Sequence, residues 1–339
     1  MPVKMGCLDK IIGCARKVKR SVNTWQLRVK ARVEARMAFN YDRRVFSKYA
    51  GALNKLDKDA ARAEIIMAYH VIEKGLTMPH YRPGFGKAAV KHLINLINSF
   101  EARFGQDAQV AHAATVLKAY GEKNSTLLPE FKELENFLAE RKNLAPAIEP
   151  HMSKAAFFAF KEAAYPKFAS SRHMLRHFAK PVPRETLMKA IEIASCAPSA
   201  CNRQPVRVHI IEGRKTLEKL LALQAGSRGF GTSADKVLVV TSSLKCIRWG
   251  WERHDPYTNG GIFAMNLVNA LHYCEIAHCI LHWSVSPSVD REAHKLTNIP
   301  QDEAIVLLIA CALPPDEFDV AASPRLKAQD IAVWHTKEA

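Results

Sequence analysis

The side chains best suited to chemistry in this 339-residue chain sit in two basic clusters and one turn-rich polar segment. Ser170-Ser-Arg-His-Met-Leu-Arg-His-Phe178 places Arg172, His173 and Arg176 within about one turn of each other, just ahead of a proline-rich approach to a helix. Pro324-Arg-Leu-Lys327 separates Arg325 and Lys327 by one residue. On an extended segment both point the same way, which suits a phosphate dianion. Between the clusters lies Ala197-Pro-Ser-Ala-Cys-Asn-Arg-Gln-Pro205, where Ser199, Asn202, Gln204 and free backbone amides offer a hydrogen-bonding rim for a planar heteroaromatic ligand. Each has a plainer reading. Basic clusters are ordinarily solvated surface, and Asn202 and Gln204 can simply tie down a helix-to-strand connection. His70 and Glu73, at i and i+3, share a helix face and suit a metal, a cover over a cleft, or a polar contact between two parts of the fold.

Several common chemistries are missing from the sequence. Neither GxGxxG nor GxxxxGK[ST] occurs at a strand-to-helix turn; Gly226-Ser-Arg-Gly-Phe-Gly231 comes nearest but follows a helix and reads as an ordinary loop. There is no GxSxG, no HExxH and no CxxC. The eight cysteines are scattered. They read as reduced thiols of a cytoplasmic protein, and no metal site is expected.

The elements that must carry these residues fall into two halves, as the length also suggests at roughly 100–200 residues per domain. From about 21 to 142, apolar residues recur every three or four positions with almost no β-branched run, which predicts helix after helix, for example over 60–72 and 88–100. Residues 141–153, with Pro146 and Pro150, read as a junction. Beyond it helix and strand patterns alternate: a Pro-led helix over 183–195, strands over 205–212 and 236–241, a helix near 217–223, a long apolar helix over 262–276, and strands over 279–285 and 305–313. The expected organisation is a basic helical region over 1–145 and a mixed α and β domain over 160–337.

The net charge of +16 is mostly a property of the N-terminus, because residues 1–50 hold 13 Lys or Arg against three acids. The longest apolar stretches fall short of the ~20 residues of a membrane span, so an integral membrane protein is not expected. The first residues lack the apolar core of a secretory signal, so export is not expected either. Residues 10–36 mix Lys and Arg with Ile11, Ile12, Val18, Val22, Trp25 and Leu27. That pattern suits a solvated helix packed on its own protein, or an interfacial helix in peripheral contact with an anionic membrane surface. Nucleic acid is not an expected partner, since no recognised module accompanies the charge.

Taken in order, these segments resemble the FMN-dependent nitroreductases. Arg172-His-Met-Leu-Arg-His-Phe178 is similar to that family's R-[RHS]-S-x-[RK]-x-F opening, and Ala197–Pro205 to its A-P-S-S-x-N-x-Q-P segment. Asn259-Gly-Gly-Ile-Phe-Ala-Met-Asn-Leu-Val-Asn-Ala270 is similar to its buried central helix, and Pro324–Lys327 to its basic closing segment. The resemblance covers roughly 165–337 and implies an α+β fold, a mixed sheet flanked by helices, with one FMN per subunit at a homodimer interface. It implies that Arg172, Arg325 and Lys327 hold the FMN phosphate. His173 would lie along the ribityl chain, Met174 beside the cofactor, and Arg176 at the N1–C2 edge of the flavin. Pro198, Ser199, Ala200 and Asn202 would line the pyrimidine side. Met174 departs from a small hydroxyl residue, Val206 from an aromatic one, and Cys274–Cys279 from the glycines that commonly end the central helix.

The activity implied is hydride transfer through flavin N5 from NAD(P)H to an electron-poor organic acceptor in a ping-pong cycle. No protein side chain need act as the catalytic group, because the cofactor carries the chemistry. Two alternatives stay open: a flavin-dependent dehydrogenase or tailoring enzyme of a biosynthetic pathway, and a non-catalytic flavin-binding protein docked by its basic arm to a membrane or anionic polymer.

Overall fold

A computed structural model describes residues 25–44, 47, 57–141, 144–247 and 249–336. The first half is helical as expected: α1 (25–44), α2 (Lys58–Leu76), α3 (Lys87–Phe104), α4 (Ala108–Lys123) and α5 (Lys132–Ala139). Asp57 and Asp107 cap α2 and α4 by accepting from Ala60 N and Gln109 N, which satisfies donors that a helix start otherwise leaves free. Ile65, Ile72 and Leu76 of α2 meet Leu93 and Ile97 of α3 and Val116, Leu117 and Tyr120 of α4 in a core of their own. Each such side chain stabilises by roughly 1.5–3 kcal/mol when fully buried.

The second half runs β1 (Ile148–Ser153), α6 (Lys154–Phe157), α7 (Tyr165–Ser171), α8 (Arg184–Ala194), β2 (Val206–Ile211), α9 (Arg214–Gln224) and β3 (Lys236–Ser243). It continues with α10 (Asp255–Tyr273), β4 (Ala277–His282), α11 (Pro287–Thr297), β5 (Glu303–Ala312), β6 (Glu317–Ala321) and α12 (Ala328–Ile331). The main sheet has the order β2-β3-β5-β4. The α+β class is as expected, although every pairing among the described residues is antiparallel where a mixed sheet was anticipated. Alternation along β3 separates two cores. Val237 and Val239 face Leu217 and Leu221 of α9 and Ala293 of α11, whereas Leu238 and Val240 face Leu187 of α8 and Leu267 and Leu271 of α10.

Two elements differ from expectation for identifiable reasons. The central helix begins at Asp255, seven residues before the predicted start, because Pro256 suits a first turn and Gly260 is a packing residue rather than a breaker. A Cβ on Gly260 would meet Val306 Cγ2 at 2.5 Å, so the glycine lets α10 lie tightly on β5. Residues 148–153, read as part of a junction, instead form β1, which pairs antiparallel with β6 through a register shift between Glu149 and Met152. The shift accommodates a Pro-containing strand at the edge of a two-stranded ribbon.

Helix α1 packs on the loop before α10. Gly250 brings its backbone against Ala31 and Ala35, and Asp42 pairs with Arg253 and with His254 Nε2 at 3.2 Å. Its other face carries exposed Trp25, Val29, Val33, Met37 and Tyr41, four residues apart. Residues 10–24 of the expected interfacial helix lie outside the described residues. No described helix is long and apolar enough to cross a membrane.

Candidate functional site

The first basic cluster leaves α7 in an extended conformation, with Arg172 at φ −76° and ψ 113°. Leu175 N donates to His278 O of β4 at 2.9 Å, and Ala179 N donates to Leu313 O at 2.9 Å. Leu175 and Phe178 are buried, so the polar side chains between them are held at the edge of a core rather than on a free loop. The second cluster follows β6. Between the two, α2 and α4 close a cleft of about 360 Å³ lined by His173, Met174, Arg176 and Arg325 together with Tyr69, His70, Glu73 and Gln109. Lys327 is exposed and does not line it.

Positive charge gathers at this cleft and just behind it. Nε and Nη1 of Arg172 and Nε of Arg176 are buried without a hydrogen-bond partner among the described residues. Burial, then the charge of nearby Arg325, pushes the Arg172 pKa down. A buried cation without a counter-charge costs several kcal/mol, and a phosphate oxygen would supply the partner. Behind Arg172 stand two buried histidines. Burial pushes His272 down to about 4, with Arg172 adding to it, and pushes His278 down to about 3 against the hydrogen bond to Ile276 O. Both are therefore neutral near pH 7, and no charge of theirs competes for the anion.

The wall from the helical half is polar and already partnered. Tyr69 Oη donates to Gln109 Oε1 at 2.7 Å, and burial with the nearby Glu73 carboxylate raises the phenol to about 12. Glu73 is 1% exposed. Burial would raise its pKa, but His112, His70 and Ser323 N outweigh that and bring it to about 2. His177 joins the halves from the other side, its Nε2 standing 2.9 Å from Thr77 O at the end of α2.

The turn-rich segment sits elsewhere. Pro198 and Ser199 line a separate cleft of about 420 Å³ with Gln204, Asn259 and Phe263, and the two clefts share no lining residue. Ser199 Oγ accepts from Gln204 N at 2.9 Å, and Ala200 N donates to Asn259 Oδ1 at 2.9 Å. Pro198 and Asn202 are exposed. Cys201, Asn202 and Gln204 have φ of 50°, 52° and 48°, with Arg203 between them at −72°, and asparagine tolerates the left-handed region better than most residues. Arg203 holds the turn in place. Its guanidinium donates to Glu252 at 2.9 Å, to Asp255 at 2.9 Å and to Cys246 O at 2.8 Å. The Gly226–Gly231 loop uses its groups on its own turn, Gly226 N donating to Gln224 Oε1 and Gly231 N to Ser227 O, as an ordinary loop does.

Thus the structure joins His173, Met174, Arg176 and Arg325 in one cleft, with Arg172 behind it, and places Pro198, Ser199, Ala200 and Asn202 apart from them. Tyr69, Gln109, His112, Arg203 and Asn259 are the site residues that sequence reading does not single out. Tyr69, Gln109 and His112 lie on helix faces with no local motif, and only packing of α2 against α4 brings Tyr69 and Gln109 to the cleft and His112 to Glu73. Arg203 and Asn259 lie inside the quoted segments, but their partners are some 50 positions away.

A family model described as "Nitroreductase family" matches residues 169–232, a span that includes both Arg172–Phe178 and Ala197–Pro205. No curated protein matches the chain. Among solved structures, a nitroreductase family protein from Streptococcus pneumoniae TIGR4 is 20% identical, over 51% of this chain and 100% of that one, with a TM-score of 0.43. The FMN-dependent nitroreductase from Clostridium difficile R20291 is 16% identical over 50% and 98%, at 0.41. The NADPH:FMN oxidoreductase from Vibrio harveyi, complexed with NAD+, is 15% identical over 51% and 78%, at 0.42.

Proposed function

Starting from the nitroreductase-family segment at residues 169–232, we propose that this protein is an FMN-dependent oxidoreductase. The observation that carries the reading is the Arg172 guanidinium, buried with unpartnered nitrogens beside Arg325 and Arg176. Arg325, with Arg172 behind it, holds the FMN phosphate, while Lys327, which the resemblance also implied, lies exposed outside the cleft. His173 and Met174 line the ribityl chain. Arg176 faces the N1–C2 edge of the ring, where a cation favours the reduced, negatively charged flavin. FMN supplies the hydride-transfer chemistry, between NAD(P)H and an electron-poor organic acceptor in a ping-pong cycle. The chain supplies binding, orientation and charge.

Pro198, Ser199, Ala200 and Asn202 line the pyrimidine side of the ring from a second copy of the chain, since within one copy they open on a different cleft. A two-fold homodimer forms two equal sites in this way. Exposed Tyr257, Ile262 and Met265 on α10, with Ile331, Val333 and Trp334 near the C-terminus, offer apolar surface for the interface. The test is anaerobic mixing of the yellow protein with NADH or NADPH, which should bleach the flavin within seconds. Bleaching by neither would remove the nicotinamide-linked reductase, and with it this function.

One observation favours an added role for the N-terminal arm. The exposed stripe Trp25, Val29, Val33, Met37 and Tyr41 runs along a helix that also exposes Arg28, Arg32 and Arg36, as in helices that lie on anionic membranes. Full-length protein should sediment with anionic vesicles at low salt, and protein lacking residues 1–40 should not. Absence of sedimentation by the full chain would discard the role.

A further inference from the structure

A buried carboxylate of the helical half, Glu73 of α2, holds the turn that carries Arg325. Glu73 Oε1 accepts from Ser323 N at 3.1 Å, and Oε2 from Ser323 Oγ at 3.2 Å. On its other sides His112 Nε2 stands 3.4 Å from Oε1 and His70 Nδ1 3.8 Å from Oε2. Ser323 has φ 43°, a conformation a serine keeps only where its surroundings hold it. The carbonyl of that same residue accepts from Arg325 Nη1. A chain of contacts therefore runs from α2, through a strained turn, to the guanidinium that shares the cleft with Arg176 and bears on Arg172.

We propose that Glu73 is a positioning residue: by clamping Ser323 in its left-handed turn it aims Arg325 into the cleft, and so makes the N-terminal helical half a working part of the phosphate site. Glu73 does not itself bind the anion. Its oxygens are taken up by Ser323 and flanked by His112 and His70, and it is 1% exposed. Without the clamp the turn after β6 relaxes towards ordinary φ, and Arg325 must be ordered at the cost of binding free energy.

The inference rests on reading the cleft as a phosphate site, and its test separates the two. Full-length wild type, Glu73→Gln and Ser323→Ala are stripped of cofactor and titrated with FMN, with riboflavin, which lacks the phosphate, and with inorganic pyrophosphate. An amide cannot accept both hydrogen bonds from Ser323, so E73Q should weaken FMN and pyrophosphate about tenfold and riboflavin by less than about twofold. S323A, which leaves the carboxylate in place, should act in the same direction by about threefold. Equal losses of FMN and riboflavin would make Glu73 a merely structural residue and overturn the proposal, as would unchanged FMN and pyrophosphate affinity in both variants. If wild type binds pyrophosphate but neither flavin, the FMN reading falls while the pyrophosphate comparison still decides the clamp. If wild type binds none of the three, both fall.

Discussion

A half-buried guanidinium with two buried nitrogens that find no partner among the described residues weakens the fold unless an anion joins it, and that decides what replacing Arg172 does. Arg172→Met keeps much of the apolar volume and removes the stranded charge. Ligand-free protein should therefore gain about 1–2 kcal/mol in urea unfolding while FMN affinity falls at least about tenfold. A loss of both would mean that the cation is already compensated. The neighbouring imidazoles set a pH dependence. His272, at about 4, and His278, at about 3, bind protons less readily folded than at the ordinary value of 6.5, so stability is lost as pH falls below 6.5. Glu73, at about 2 against an ordinary 4.5, adds a second loss below pH 4.5, worth up to about 3 kcal/mol by pH 2. His272→Phe, which suits a ring packed among Phe157, Phe158 and Phe168, should shrink the drop in urea midpoint between pH 7 and pH 5. An unchanged drop would place the titrating group elsewhere.

At the scale of elements, two segments depend on close contacts that can be broken singly. Arg203 ties the turn at Cys201–Gln204 to the start of α10, and Arg203→Ala should cost about 1 kcal/mol of stability while weakening FMN binding by more than that loss explains. Calorimetry and a flavin titration on the same sample separate the two effects. A Cβ on Gly250 would stand 2.4 Å from Ala35 N and 2.8 Å from Ala31 O, so Gly250→Ala should push α1 off its seat. Trypsin should then cut within 25–44 faster than in wild type, the remaining fragment staying intact. Much of this architecture was legible beforehand, because the helical period over 60–72 and 88–100 and the strand pattern over 236–241 reflect one-sided or complete burial within a single element. The basic clusters and the turn-rich segment were legible because each is local. β1 and β6 were not, being short strands that pair across 164 to 173 positions, β1 with a proline inside it. Glu73 was visible as half of an i,i+3 pair with His70, but its main partner, Ser323, is 250 residues away and leaves no periodic trace.

On the scale of the whole molecule, one chain keeps the Arg325 cleft and the Pro198–Ser199 cleft apart, and the proposed FMN site needs a second chain to bring them together. Co-expressing Arg172→Met with a variant altered at both Ser199 and Asn202 should restore about a quarter of the wild-type flavin content. Half the dimers are then mixed, and each mixed dimer has one intact site. Restoration to none would mean that both sets serve the same chain. Sedimentation should show a dimer whose dissociation releases flavin. The central claim, that the chain is an FMN protein built around the Arg172 cleft, is tested most directly by the visible spectrum of the purified full-length protein together with the identity and amount of the cofactor released on denaturation. The account predicts a flavin spectrum and one FMN per chain, lost in Arg172→Met. A colourless protein that takes up neither FMN nor riboflavin when reconstituted would contradict it.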